Sequence, residues 1–79
     1  MKIKVKFQNG RSRVLKSSEQ LNDIDKNREA HFVMMNGRVY TGWCDGEIDD
    51  EGNFGVWRTI HCIGLPFKGL LGWCYVKGR

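Results

Sequence analysis

The pattern that most constrains this 79-residue chain is an alternation of apolar and polar residues with a period of two, interrupted by short turn signals. The segment KIKVKF (2–7) places three apolar side chains on one side and three lysines on the other, as in a strand with one buried face. Asn9–Gly10 follows and is a strong hairpin signal, so RSRVL (11–15) is the predicted return strand. Residues 1–15 are therefore predicted to form an N-terminal β-hairpin.

One short helix is predicted over residues 18–26. Ser17 followed three residues later by Gln20 has the pattern of a capping box. Leu21 and Ile24 supply an apolar stripe at helical spacing, and this stripe is narrow.

The remaining part of the chain, residues 29–79, is predicted to be all antiparallel strands. Asn36–Gly37 marks a second hairpin, FGVWRTIHC (54–62) has the pattern of one strand, and IGLPFKG (63–69) that of a loop. Ten glycines in so short a chain favour sharply bent strands. The fold class is accordingly mainly β (α+β), and residues 1–79 form a single domain. We expect a small, strongly bent antiparallel β-barrel with an N-terminal hairpin and one short helix.

The tripeptide GWC occurs twice, in the first GWC segment (Gly42–Cys44) and in the second GWC segment (Gly72–Cys74). Glycine inside a strand marks a bulge, a bend or a close approach of backbones. The tryptophan and cysteine that follow it point to opposite faces of a sheet. Two bends in one curved sheet are therefore the favoured interpretation, and a redox or metal site is the alternative.

Five side chains could bind zinc or form a nucleophilic pair. Structural zinc sites bring their ligands in close pairs, whereas the only close pair here is two adjacent strand residues that face opposite ways. No residue pattern supplies an oxyanion hole or an orienting third group. We therefore expect no enzyme, no cofactor and no metal. The residues considered are His31, Cys44, His61, Cys62 and Cys74.

The cysteine content and the hydropathy pattern predict a cytoplasmic protein. Three cysteines without a C-x-x-C pair favour reduced thiols. No apolar run approaches the roughly 20 residues of a membrane span, and the N-terminus does not resemble a signal peptide. We therefore expect no membrane partner.

The charge distribution is bipolar. Residues 1–16 carry six basic and no acidic side chains, whereas residues 45–51 carry five acidic and no basic ones. Lys2, Lys4 and Lys6 form a comb along one strand face that a nucleic-acid backbone could follow. The alternative is that these lysines protect a sheet edge from unwanted pairing. The acidic segment could meet the basic strand of a neighbouring molecule.

Residues 19–78 resemble the Sm/Sm-like family of small β-barrels. Asn36–Gly37–Arg38 with Gly42 and Cys44 is similar to the first Sm motif, and YVKGR (75–79) is similar to the hydrophobic–Arg–Gly of the second. The resemblance implies a ring-forming protein that binds short uridine- or adenine-rich single-stranded RNA. In the family a fifth strand follows the second motif and pairs with a neighbour, and none is predicted after KGR. The base-binding positions that the resemblance implies are Asp49 or Asp50, Asn53, Lys77 and Gly78.

Two functions therefore stand open at the level of sequence. The first is a non-enzymatic binding module, an Sm-like homo-oligomer that binds single-stranded RNA. The second is a self-associating protein-interaction or assembly module with no nucleic-acid role. Exposed aromatic side chains would form its interface. The predicted interface residues are Trp43, Trp57 and Trp73.

Overall fold

The structure, a computed structural model, describes residues 3–7 and 10–77. Lys2, Asn9 and Gly78, which carry sequence predictions, lie outside the described residues. The described elements are, in chain order, β1 (Ile3–Lys6), β2 (Ser12–Ser17), the 3₁₀ helix η1 (Ser18–Asp23), β3 (Ala30–Met34), β4 (Val39–Gly42), β5 (Asn53–Arg58), β6 (His61–Pro66), the 3₁₀ helix η2 (Phe67–Gly69) and β7 (Leu70–Tyr75).

The strands form two antiparallel sheets. Five strands pair in the order β1-β2-β7-β3-β4, and β5 pairs with β6. The sheets are joined just beyond β4, where the amide of Trp43 donates to the carbonyl of Trp57 at 2.9 Å and the amide of Trp57 donates to the carbonyl of Trp43 at 2.8 Å. The predicted mainly β, antiparallel architecture is confirmed. Among the described residues no ladder joins β1 to β6, so no closed barrel is found there, and the barrel stays a prediction.

Both predicted hairpins are confirmed. In the first, Ile3 pairs with Leu15, and Gly10 has a positive φ of 84°. In the second, β3 and β4 pair around a turn in which Gly37 has a φ of 88°. A positive φ is strained for residues with a Cβ atom, which explains why glycine stands at both turns.

The prediction of one strand over residues 54–62 is wrong, because the chain turns back at Thr59–Ile60. Arg58 pairs with His61 across this two-residue turn, and Thr59 has a φ of 51°. No glycine, proline, asparagine or aspartate announces this turn. The predicted loop over residues 63–69 is also wrong, since β6 and η2 occupy it. Five strands therefore follow η1.

The predicted α-helix over residues 18–26 is replaced by the six-residue 3₁₀ helix η1. Ser17 and Gln20 form the expected capping box, in which the amide of Ser17 donates to Oε1 of Gln20 at 3.2 Å. The helix stops because Ile24 is extended, with φ −65° and ψ 139°. Leu21 in η1 and Ile24 just after it are both buried in the main core, so the predicted apolar stripe is buried although no α-helix forms.

The five-stranded sheet is packed on both faces. Phe32 and Trp73 are paired and belong to the main core, which lies between this sheet and the β5–β6 hairpin. Their neighbours Val33 and Cys74 point to the opposite face and form a second cluster with Leu15. The apolar side of β1 covers part of this second cluster. The strand β7 lies between β2 and β3, and the two apolar clusters pack against its two faces.

Candidate nucleic-acid interface

A basic surface lies where β2 runs alongside the end of β7. Two adjoining grooves of about 400 and 470 Å³ share Arg13, Val76 and Lys77 in their walls. Among the described residues, their linings contain five lysines and arginines and no aspartate or glutamate. We call this set the basic surface: Arg11, Arg13, Lys16, Arg28 and Lys77.

Strand pairing assembles the basic surface from distant parts of the chain. Lys16 pairs with Trp73, so β2 lies beside β7, and Lys77 lies two residues after the end of β7. Arg28 arrives from the loop after η1. Paired residues share a sheet face, so the exposed Lys4 and Lys6, which pair with residues of β2, lie on the same face as Lys16. Arg13 pairs with Val5, so Arg11 and Arg13 start from the opposite face of β2. The two described members of the lysine comb therefore continue the surface only from Lys16.

Tyr75 orders the two arginines nearest to it. Arg13 donates from its guanidinium to the backbone carbonyl of Tyr75 at 2.6 Å. The guanidinium carbon of Arg28 lies 3.8 Å from the centroid of the Tyr75 ring, which is the geometry of a cation–π contact. The hydroxyl of Tyr75 accepts from the amide of Asp25 at 3.0 Å. Side chains held in place in this way lose less conformational entropy when they bind a ligand.

His31 lies at the border of the second groove and adds no charge at neutral pH. Its ring meets Phe7 edge to face, with centroids 5.1 Å apart, and its Nδ1 lies 2.8 Å from Oγ1 of Thr41. Burial lowers the pKa of His31 and the positive charge of Arg13 lowers it further, while Glu29 acts in the opposite direction. The ring is therefore neutral and presents a flat surface rather than a cation.

The acidic segment lies apart from the basic surface. No residue of 45–53 lines either groove. Oδ1 of Asp49 accepts from the amides of Glu51 and Asn53, both at 2.9 Å, so this carboxylate holds the turn before β5. The structure thus brings Lys77 together with Arg13 and not with the predicted partners Asp49, Asp50 and Asn53, of which the last begins β5.

The short helix η2 lies close to the acidic segment. Phe67–Lys68–Gly69 forms η2, and β7, the fifth strand after η1, follows it directly. The amide of Phe67 donates to the carbonyl of Gly52 at 2.9 Å, so this turn contacts the segment that contains Asp49 and Asn53.

Two of the three predicted interface tryptophans are exposed. Trp43 and Trp57 are 38% and 39% exposed and lie side by side where the two sheets join. Trp73 is only 1% exposed, so the expectation of an outward side chain is wrong there. The physical reason is that β7 is an inner strand of the sheet, with apolar residues packed on both of its faces.

The residues considered for metal binding form no metal-binding cluster in the described part of the chain. Within residues 3–7 and 10–77, no group of three histidine, cysteine or acidic side chains could hold a metal ion. Cys44 and Cys74 are buried, Cys62 is exposed, and all three thiols are free. In the same part of the chain, no helix is long and apolar enough to cross a membrane.

Comparison of the chain with models of protein families, with curated proteins and with solved structures found no match. The proposal below therefore depends on the geometry and charge of the chain itself.

Proposed function

We propose that the protein is a non-enzymatic binding module that holds single-stranded RNA along the basic surface. The observation that carries the proposal is the clustering of five cationic side chains, with no acidic residue, along two adjoining grooves. Phosphate groups are attracted to such a surface irrespective of base sequence, and the release of counterions supplies much of the affinity. The acidic segment faces elsewhere and does not oppose this attraction.

The shape of the surface favours an extended single strand over a duplex. Side chains on the same face of a strand recur at about 6.8 Å, close to the spacing of phosphates in a stretched single strand. Flat groups accompany the cations: the Arg28 guanidinium lies over Tyr75, and Phe7 and His31 meet in the second groove. Single-strand binding proteins combine a cationic groove with such stacking surfaces.

We include in the proposal a small Sm-like barrel built from the strands that follow η1. It is supported by the consecutive neighbours β7-β3-β4, by the Trp43–Trp57 bridge that leads to β5, and by the β5–β6 hairpin. A cytoplasmic location belongs to the same proposal and is supported by the three free thiols. The RNA proposal itself needs no ring, because one chain supplies both grooves.

Fluorescence anisotropy of a labelled oligouridine tests the proposal. Arg28→Ala and Lys77→Ala should each weaken binding by about 5-fold and reduce the slope of log K against log salt concentration by about 0.7. Arg38→Ala is the matched control, since Arg38 lies in the β3–β4 turn and lines neither groove. This control should bind as the wild type does.

Two outcomes would contradict the proposal. Absence of binding at low salt would remove RNA as the ligand. Unchanged affinity in Arg28→Ala and Lys77→Ala, together with weaker binding in Lys68→Ala, would move the RNA site to η2, which contacts the segment that contains Asp49 and Asn53.

A further inference from the structure

Strand β6 has a backbone edge that no described strand covers. Trp57 uses both its amide and its carbonyl to bond with Trp43. It therefore forms a non-hydrogen-bonded pair with Cys62, its partner in β6. In such a pair the backbone groups of both residues point away from each other, so those of Cys62 point outward. Because the pattern repeats every two residues, those of Gly64 point outward as well.

The edge of β6 also lacks the charges that usually protect an edge strand. Residues 60–67 contain no lysine, arginine, aspartate or glutamate. Ile63 is 45% exposed, and Ile60, in the turn before β6, is 91% exposed. The opposite edge strand, β1, carries the exposed Lys4 and Lys6. Charged side chains discourage pairing, so β1 is protected and β6 is open to another strand.

We propose that a second molecule of this chain pairs its own β6 with this edge, antiparallel and about a two-fold axis at Ile63. Cys62 then lies opposite Gly64 of the second molecule, and Gly64 opposite its Cys62. These two pairs exchange four backbone hydrogen bonds, and the two Ile63 side chains meet across the axis. A register shifted by two residues would place Cys62 opposite Pro66, which has no amide hydrogen to donate.

The charges at the two ends of the β5–β6 hairpin fit this two-fold arrangement. Arg58 lies at the turn end, where it pairs with His61. The other end contacts the acidic segment, because the amide of Phe67 donates to the carbonyl of Gly52, which directly follows Asp49, Asp50 and Glu51. Antiparallel pairing places the turn end of each molecule beside the acidic end of the other. Charge complementarity therefore occurs twice and favours a second molecule over an uncharged strand.

Molar mass in solution tests the dimer. One added strand pair is a small interface, so light scattering should span from about 10 µM to about 1 mM protein. The mass should rise from 9.2 kDa toward twice that value. Ile63→Lys places like charges across the axis and should keep the protein monomeric. Ile60→Lys makes the same change outside the paired segment and should leave the dimer intact.

A disulfide cross-link tests the register. In a Cys62→Ser background, Ile63→Cys places two thiols in a non-hydrogen-bonded pair with Cα atoms about 4.5 Å apart, within reach of a disulfide. Mild oxidation should give a covalent dimer on a non-reducing gel. In the wild type the two Cys62 residues lie diagonally, with Cα atoms about 8 Å apart, and should not cross-link. Ile60→Cys in the Cys62→Ser background should not cross-link either.

Several outcomes would overturn the proposal. A mass of 9.2 kDa at all concentrations would exclude the dimer. Equal loss of the dimer in Ile63→Lys and Ile60→Lys would exclude this edge, and faster cross-linking through Cys62 than through Ile63→Cys would exclude this register. Assemblies larger than two would indicate pairing of β6 with β1. The basic surface takes no part in the contact, so these results are independent of RNA binding.

Discussion

The two GWC segments have the same sequence and opposite environments. In the first, Trp43 is 38% exposed and Cys44 is buried in the main core. In the second, Trp73 is 1% exposed in the main core, and Cys74 is buried in the second cluster on the other face. The first segment continues from β4 to the junction of the two sheets, whereas the second lies in the inner strand β7. The position of the strand in the sheet, and not the tripeptide, therefore decides where each side chain lies.

The glycine is what the two segments share. A Cβ atom added to Gly42 would collide with the backbone carbonyl of Trp57, and one added to Gly72 would lie 2.7 Å from the carbonyl of Lys16. Both glycines thus stand where a neighbouring backbone approaches closely, which is one of the features that glycine inside a strand marks, whereas the two bends stay a prediction. What the two segments share is therefore a packing requirement at the glycine.

The largest expected loss of stability follows from replacing Gly42 or Gly72 by alanine, which adds a methyl group. Gly42→Ala should lower the free energy of unfolding by more than about 4 kcal/mol, most of the stability of so small a domain, because the collision is with backbone. Gly72→Ala should cost somewhat less, since its closest contacts are longer. Urea unfolding followed by circular dichroism measures both.

Gly64→Ala is the control for these variants. A Cβ atom at Gly64 would meet no atom within 4 Å, so stability at low protein concentration should change by no more than about 0.5 kcal/mol. If all three variants lost the same stability, close backbone approach could not explain the glycine of the repeated tripeptide.

Replacing Trp73 and Trp43 by alanine should give the next largest losses in the free energy of unfolding, and these two losses should differ. Trp73→Ala leaves a cavity in the main core and should cost about 3 kcal/mol, whereas Trp43→Ala removes a half-exposed ring and should cost about 1 kcal/mol. Within the described residues Nε1 of Trp73 has no hydrogen-bond partner, so Trp73→Phe should be milder than Trp73→Ala. Equal costs for the two alanine variants would contradict the opposite burial of the two rings.

The smallest expected difference is in the reactivity of the two buried cysteines, Cys44 and Cys74, which should behave alike. Burial raises the pKa of Cys44 and of Cys74, while the Gly46 amide and Arg13 respectively act in the opposite direction. Both thiols should therefore resist a water-soluble disulfide reagent at pH 8, whereas Cys62 should react at once. Cys62→Ala should abolish the fast reaction, and a fast reaction that survives in this variant would contradict the burial.

The direction of these pKa shifts also predicts how the free energy of unfolding depends on pH. A thiol with a raised pKa in the folded state stays protonated where the unfolded chain has begun to ionise. The contribution of the buried thiols to the free energy of unfolding is therefore fully present below the unfolded thiol pKa of about 8.5. It falls as the pH rises above that value. The fall between pH 7.5 and 9.5 should be smaller in Cys44→Ala and in Cys74→Ala than in the wild type.

Strands that alternate apolar and polar residues and are joined by a turn containing glycine could be predicted from the sequence. The hairpins at Gly10 and Gly37 are of this kind. The β5–β6 hairpin could not be predicted, because its turn uses Thr59–Ile60 and because four consecutive residues of β6 are exposed, which leaves no alternation. The sequence pattern overestimates the length of η1, because Ile24 is buried in an extended conformation and not in a helix.

The basic surface could be predicted only in part. Local pattern predicts a role for Lys77 and for the lysines of β1, whereas no local pattern distinguishes Arg13 and Arg28. Arg13 reaches Tyr75 across 62 positions of sequence, through the pairing of β2 with β7. Such contacts depend on topology, and no local period announces them. The sequence pattern also placed Trp73 at the surface, because alternation alone cannot show that a strand has both faces covered.

The most direct test of the RNA proposal is chemical-shift mapping of the uniformly ¹⁵N-labelled protein with a short oligouridine at low salt. We predict that the amide shifts concentrate on Arg13, Arg28, Tyr75 and Lys77. Shifts confined to residues 49–53 and 67–69, or no shifts at all, would contradict the assignment of RNA binding to the basic surface.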